Sequence, residues 1–122
     1  MKVRCIRLLN EHTGAPVEES SWLTVGRTYR VLEIGLDKGM KVKFRLVGDD
    51  KQTPACHDFD QFEAVSHYVP TCWGVEFRPG VFLLFGPKAW MEEGFWIRYF
   101  DGEYRERKIF DEIYKMIQEE EP

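Results

Sequence analysis

Between Lys41 and Leu46 the apolar side chains of Val42, Phe44 and Leu46 alternate with Lys41, Lys43 and Arg45. A period of two places the two sets on opposite faces of a β-strand, one buried and one wet. The surrounding stretch, from Trp22 to Ser66, repeats short β-rich runs between turn signals. Tyr29 to Ile34 precedes the alternating strand, and Leu36-Asp37-Lys38-Gly39 supplies the polar, glycine-bearing turn that folds the two into a hairpin. Gly48-Asp49-Asp50 marks the next reversal, and Phe62-Glu63-Ala64-Val65 closes the set.

The flanking segments add strands first and helices last. Lys2 to Leu9 reads as an opening strand and Asn10 to Ser21 as a polar connection. His67-Tyr68-Val69-Pro70 is an extended crossing, because the residue before a proline is pushed out of helical space. Trp73 to Arg78 alternates again, with Trp73, Val75 and Phe77 on one side and Glu76 and Arg78 on the other. Arg78-Pro79-Gly80-Val81 has the composition of a turn, and the apolar run Val81 to Phe85 implies a strand covered on both faces. Lys88 to Glu93 fits one helical turn after Pro87, and Gly94 breaks it. Phe95, Trp96, Tyr99 and Phe100 make a bulky face for a short helix laid on the sheet. The last helix runs from Glu103 to about Glu119, with Asp101 as its expected cap. Ile109, Ile113 and Ile117 form its stripe, widened by Phe110, Tyr114 and Met116. Three glutamates, Glu119 to Glu121, sit at the end disfavoured by the helix dipole, so fraying is expected there.

At 122 residues the chain suits a single domain, with 1–68 as a strand meander and 69–122 as a hairpin followed by a short helix and a terminal helix. The fold class expected is α+β. It has an antiparallel, strongly bent sheet or partial barrel of about six to seven strands, with short helices and a C-terminal helix packed on it. Four Trp and nine Phe supply the core, each contributing roughly 1.5–3 kcal/mol when fully buried.

A net charge of −4 argues against a general nucleic-acid binder, which needs surplus Lys and Arg to neutralise phosphates. The first 68 residues hold 10 basic and 10 acidic side chains and the rest 7 and 11, so the whole acidic excess lies in the second part. Cys5, Cys56 and Cys72 are odd in number and match no C-x-x-C spacing, which points to free thiols in a reducing compartment. The amino terminus lacks a secretory pattern and no apolar run reaches a membrane span of about 20 residues. A cytoplasmic location, without a membrane partner, is expected.

Cys56, His57, Asp58 and Asp60 are the closest approach to a chemical constellation. Neighbours on an extended chain point in opposite directions, which suits neither one metal nor a Cys-His nucleophilic pair, even with His67 and Cys72 added. Neither catalytic residues, metal nor cofactor is expected. Asp58 or Asp60 instead caps a short turn while Phe59 and Phe62 pack inward.

Two resemblances bear on function. The run Leu23-Thr24-Val25-Gly26-Arg27-Thr28-Tyr29, with its hairpin and the closing Phe62 to Val65, resembles small bacterial SH3-like barrels. The second half is similar to immunity proteins of polymorphic toxin systems, including contact-dependent growth inhibition. The positions that carry this likeness are Trp73, Pro87, Trp90, Gly94, Phe95, Trp96, Tyr99, Asp101 and Gly102. It implies a non-catalytic protein, monomeric when free, that binds and neutralises a cognate toxin domain such as a nuclease by covering its cationic surface. Asp49, Asp50, Asp58, Asp60, Glu92 and Glu93, at turns and loop tips, are the candidate contacts. The other reading is an SH3-like peptide- or nucleic-acid-binding module unrelated to toxins, using aromatics beside Lys41, Lys43 and Arg45.

Overall fold

The computed structural model describes residues 1–78 and 82–122. Their eight strands are β1 (Lys2–Cys5), β2 (Thr28–Arg30), β3 (Glu33–Asp37), β4 (Val42–Val47), β5 (Pro54–Asp58), β6 (Phe62–Ser66), β7 (Trp73–Arg78) and β8 (Phe82–Pro87). Two helices follow, α1 (Phe95–Phe100) and α2 (Tyr104–Glu120). The fold is α+β, and among the described residues the strands form two antiparallel sheets that do not close into a barrel. A small sheet has the order β2-β1-β6 and a five-stranded sheet the order β5-β4-β3-β8-β7. Because β8 pairs with β3, strands from both halves of the chain share the larger sheet. The turn expected at Pro79–Val81 lies outside the described residues.

The chain steps from one sheet to the other at Val31 and Leu32, both fully buried. Adjacent side chains on extended backbone point to opposite faces. Val31 accordingly enters a core with Val3, Cys5, Tyr29, Leu46 and Phe62, and Leu32 enters a second core with Trp90, Phe95, Tyr99, Phe110 and Ile117. The five-stranded sheet thus has the small sheet on one face and the helices on the other. This step also splits the run Tyr29 to Ile34, expected as one strand, into β2 and β3.

The helical core is mostly ring on ring. Trp90 stacks on Phe110 with centroids 5.0 Å apart, and Phe110 on Tyr114 at 5.4 Å. Gly94 enters α1 at φ 77°, a left-handed conformation that glycine adopts without steric cost. Gly48 is required by space instead, since a Cβ there would lie 2.4 Å from the carbonyl oxygen of Trp22.

The structure departs from the sequence pattern at several points. The opening strand stops at Cys5, and beyond it only Leu9 bridges to Pro16. Phe62 is buried, but Phe59 is exposed and meets Phe44 edge-on at the surface. Asp58 precedes a 3-10 turn at Phe59–Gln61 without a side-chain capping bond. Asp101 ends α1, and the residue preceding α2 is Glu103. Met116 lies outside the buried stripe. Glu120, the last residue of α2, and Glu121 just after it are tied down rather than loose. Glu120 accepts bonds from Tyr68 Oη, Thr71 N and Thr71 Oγ1, while Glu121 receives the amino terminus at 2.5 Å and the Ser66 hydroxyl. Bonds across the closed fold outweigh the local dipole penalty, which is a fraction of a kcal/mol at a solvated helix end.

Candidate interaction surface

The register of the larger sheet aligns Phe77, Leu83, Leu36 and Val42 in one row, and Val75, Phe85, Ile34, Phe44 and His57 in the next. All of them share the face that the small sheet covers. That cover reaches Ile34, Phe44 and Trp73, which pack on its core. Farther along the strands it stops. Val75 is 62% exposed, Phe77 71% and Met40, in the β3–β4 turn, 76%. The result is an apolar sheet end that faces solvent. Sequence alternation grouped Val75 with Phe77 but could not show which face of β7 the protein covers: Glu76 and Arg78 are the half-buried pair, bonded to each other.

Arg45 is the sharpest departure on β4. Its side chain is 13% exposed, not wet. Nε donates to Glu33 Oε1 at 3.0 Å, one Nη donates to the Pro54 carbonyl at 2.8 Å, and the guanidinium lies 3.9 Å over the Trp96 ring. Burial pushes the Glu33 carboxyl above its usual range, opposed by Arg45 and, more weakly, by the nearby Trp96 indole, which does not reach hydrogen-bonding geometry. Lys43 is also near a carboxylate, 3.7 Å from Glu11.

The six acidic candidates fall into three places. Asp49 is a structural hub: its carboxylate accepts from Thr24 Oγ1, Arg27 and Tyr29 Oη at 2.7–2.8 Å. Asp50 folds back on the Gln52 and Thr53 amides, both at 3.1 Å. Asp58 and Asp60 lie at and just past the other end of β5, whose five residues at ~3.3 Å per step put its two ends about 13 Å apart. Asp58 is half-buried, whereas Asp60 is exposed. Glu92 belongs to a closed ring of ion pairs with Arg98, Glu106 and Arg105, each contact 2.7–3.2 Å. Glu93 beside it is exposed, with no carboxylate partner among the described residues. The structure therefore leaves Asp60 and Glu93 as the freest of the six and does not gather them into one patch.

His57 is buried, packs beside Trp22 and lies 3.6 Å from Glu11; burial pulls its imidazole below the usual range. Cys72 packs against the helical core, and His67 borders an apolar cleft of about 310 Å³ that also contacts Phe44 and Phe59. No group of three His, Cys, Asp or Glu side chains among the described residues could hold a metal ion. No helix among them is long and apolar enough to cross a membrane. No family model, no curated protein and no solved structure matches the chain.

Proposed function

We propose that this chain is a non-catalytic immunity protein that binds a cognate bacterial toxin domain in the cytoplasm and holds it inactive. The observation supporting the binding role is the solvent-facing sheet end at Val75, Phe77 and Met40, on a body stiffened by its aromatic cores. Exposed apolar and aromatic side chains in a contiguous patch are the usual anchors of protein interfaces. The acidic surplus after residue 68 favours a basic partner, steering its approach while the apolar patch holds it. The toxin as partner follows from the likeness of the second half to immunity proteins.

Co-expression supplies the test. The domain encoded directly upstream should arrest growth alone and be tolerated with this chain, and Phe77→Asp should abolish the rescue without lowering thermal stability. A non-toxic neighbour, or full rescue by Phe77→Asp, would count against the proposal. For the nucleic-acid module, the burial of Arg45 removes one of the three cations it would use.

A further inference from the structure

Strand β7 is an edge strand, and its outward side can be read from the bonding on its inward side. Lys88 N donates to Cys72 O, and Asp37 N donates to Lys41 O. Hydrogen-bonded and non-bonded pairs alternate along antiparallel strands. Propagating these two bonds through the register directs Gly74, Glu76 and Arg78 toward β8, and the N–H and C=O of Val75 and Phe77 outward. The other outer edge of this sheet is screened: Glu11 of the long loop lies against Lys43 and His57 beside β5. The β7 edge has no such screen among the described residues.

Alongside that edge runs a groove of about 700 Å³. Val75 and Glu76 form one wall, Ile109 and Ile113 of α2 the other, and Ala89 and Met91 lie between them. A strand added to β7 sits about 4.8 Å from it. One set of its side chains then enters the groove and the other extends the apolar face of Val75 and Phe77. Of the charges lining the groove, Arg105 is bound to Glu92 and Glu76 to Arg78. Lys88 and Glu112 have no ion partner among the described residues, so a ligand carrying one carboxylate and one cation meets both.

We infer that the β7 edge and its groove bind an extended peptide segment of a partner protein by strand addition. The segment is apolar at successive positions and bears an acidic and a basic side chain for Lys88 and Glu112. Main-chain bonds to Val75 and Phe77 supply the affinity and the groove supplies the selection. This rests on the reading of the chain as a binding protein, not on the partner being a toxin. A peptide bound here while co-expression fails to rescue would leave the inference standing.

The test selects ten-residue peptides from a displayed random library on the full chain, then titrates the best one as a synthetic peptide. Two variants accompany the wild type. Val75→Pro removes one outward N–H, a change an edge strand tolerates because that group faces solvent. Ala89→Arg fills the groove from an exposed position and keeps the test valid if the proline variant does not fold. The expected result is micromolar binding, at least tenfold slower amide exchange at Val75 and Phe77 in the complex, and at least tenfold weaker binding by each folded variant. Failure to select any peptide, undiminished binding by Ala89→Arg, or protection of these amides by self-association without peptide would each overturn the inference.

Discussion

Replacing Arg45 with Met asks the structure to keep Glu33 buried without its cation. The substitution removes the 3.0 Å bond to Glu33, the 2.8 Å bond to Pro54 O and the contact over Trp96, while keeping an apolar stem of similar length. Stranding a buried charge in this way costs about 3–5 kcal/mol. With an unfolding entropy of about 2.1 cal/mol/K per residue, that lowers Tm by roughly 12–20 °C for a chain of this length. The pH dependence separates this cause from simple loss of packing. The Glu33 carboxyl is already raised by burial against the opposition of Arg45, and removing Arg45 raises it further. A raised carboxyl takes up its proton more readily in the folded state, so the penalty grows as pH rises through and above its unfolded value and fades below it. Urea unfolding followed by tryptophan fluorescence should therefore show the full loss at pH 7. Near pH 4 the loss should be about 1–2 kcal/mol, the worth of the Pro54 bond and the packing. Glu33→Leu combined with Arg45→Met should recover most of the neutral-pH loss. An equal cost at both pH values, or less than about 1 kcal/mol at pH 7, would refute the argument.

Other substitutions test separate parts of the fold. Asp49→Ala should cost about 2–3 kcal/mol by urea unfolding, because Tyr29 Oη and Thr24 Oγ1 lose a charged acceptor. The Tyr29 phenol, pushed up to about 12 by burial and then by its bond to Asp49, should ionise at lower pH in that variant when followed by ultraviolet absorbance. Glu120 is held below the usual carboxyl range by the Thr71 amide, the Thr71 hydroxyl and Tyr68. Its stabilisation is present above the unfolded value and lost as pH falls through the folded one, so Glu120→Gln should flatten the stability profile on the acid side. Gly48→Ala should cost more than about 2 kcal/mol, since its Cβ meets backbone at Trp22, whereas Gly74→Ala meets only the flexible Lys88 side chain and should cost under about 1 kcal/mol.

The strand and helix content was readable because local chemistry decides it. Alternation placed β4 and β7, turn residues placed the hairpin, and three- and four-residue spacing placed α1. The inward faces of β4, α1 and α2 were legible as well, since Leu46, Phe95, Tyr99, Phe110 and Ile117 are all buried; what could not be read is how far a neighbouring layer covers each face of a strand. The pattern over Val42 to Leu46 assigned Arg45 to solvent, but helix α1 lies on that side and an ion pair with Glu33 makes its burial tolerable. The same ambiguity, in reverse, hid the exposure of Val75 and Phe77. Glu33 stood in an apolar run with no signal that its partner was 12 positions away. Asp49 and Glu92 fall at turns, yet both are engaged within the fold. A turn position predicts solvent access but not whether a nearby cation or hydroxyl claims the side chain. The bond from the amino group of Met1 to Glu121, just past α2, likewise joins residues 120 positions apart, beyond any local window.

The binding role at the end of the five-stranded sheet is tested most directly by calorimetric titration of the purified upstream-encoded domain into this protein and into its Phe77→Asp variant. The account predicts nanomolar association for the wild type and at least a hundredfold loss for the variant, with both proteins equally folded. Equal affinities for the two, or no measurable heat for either, would contradict it.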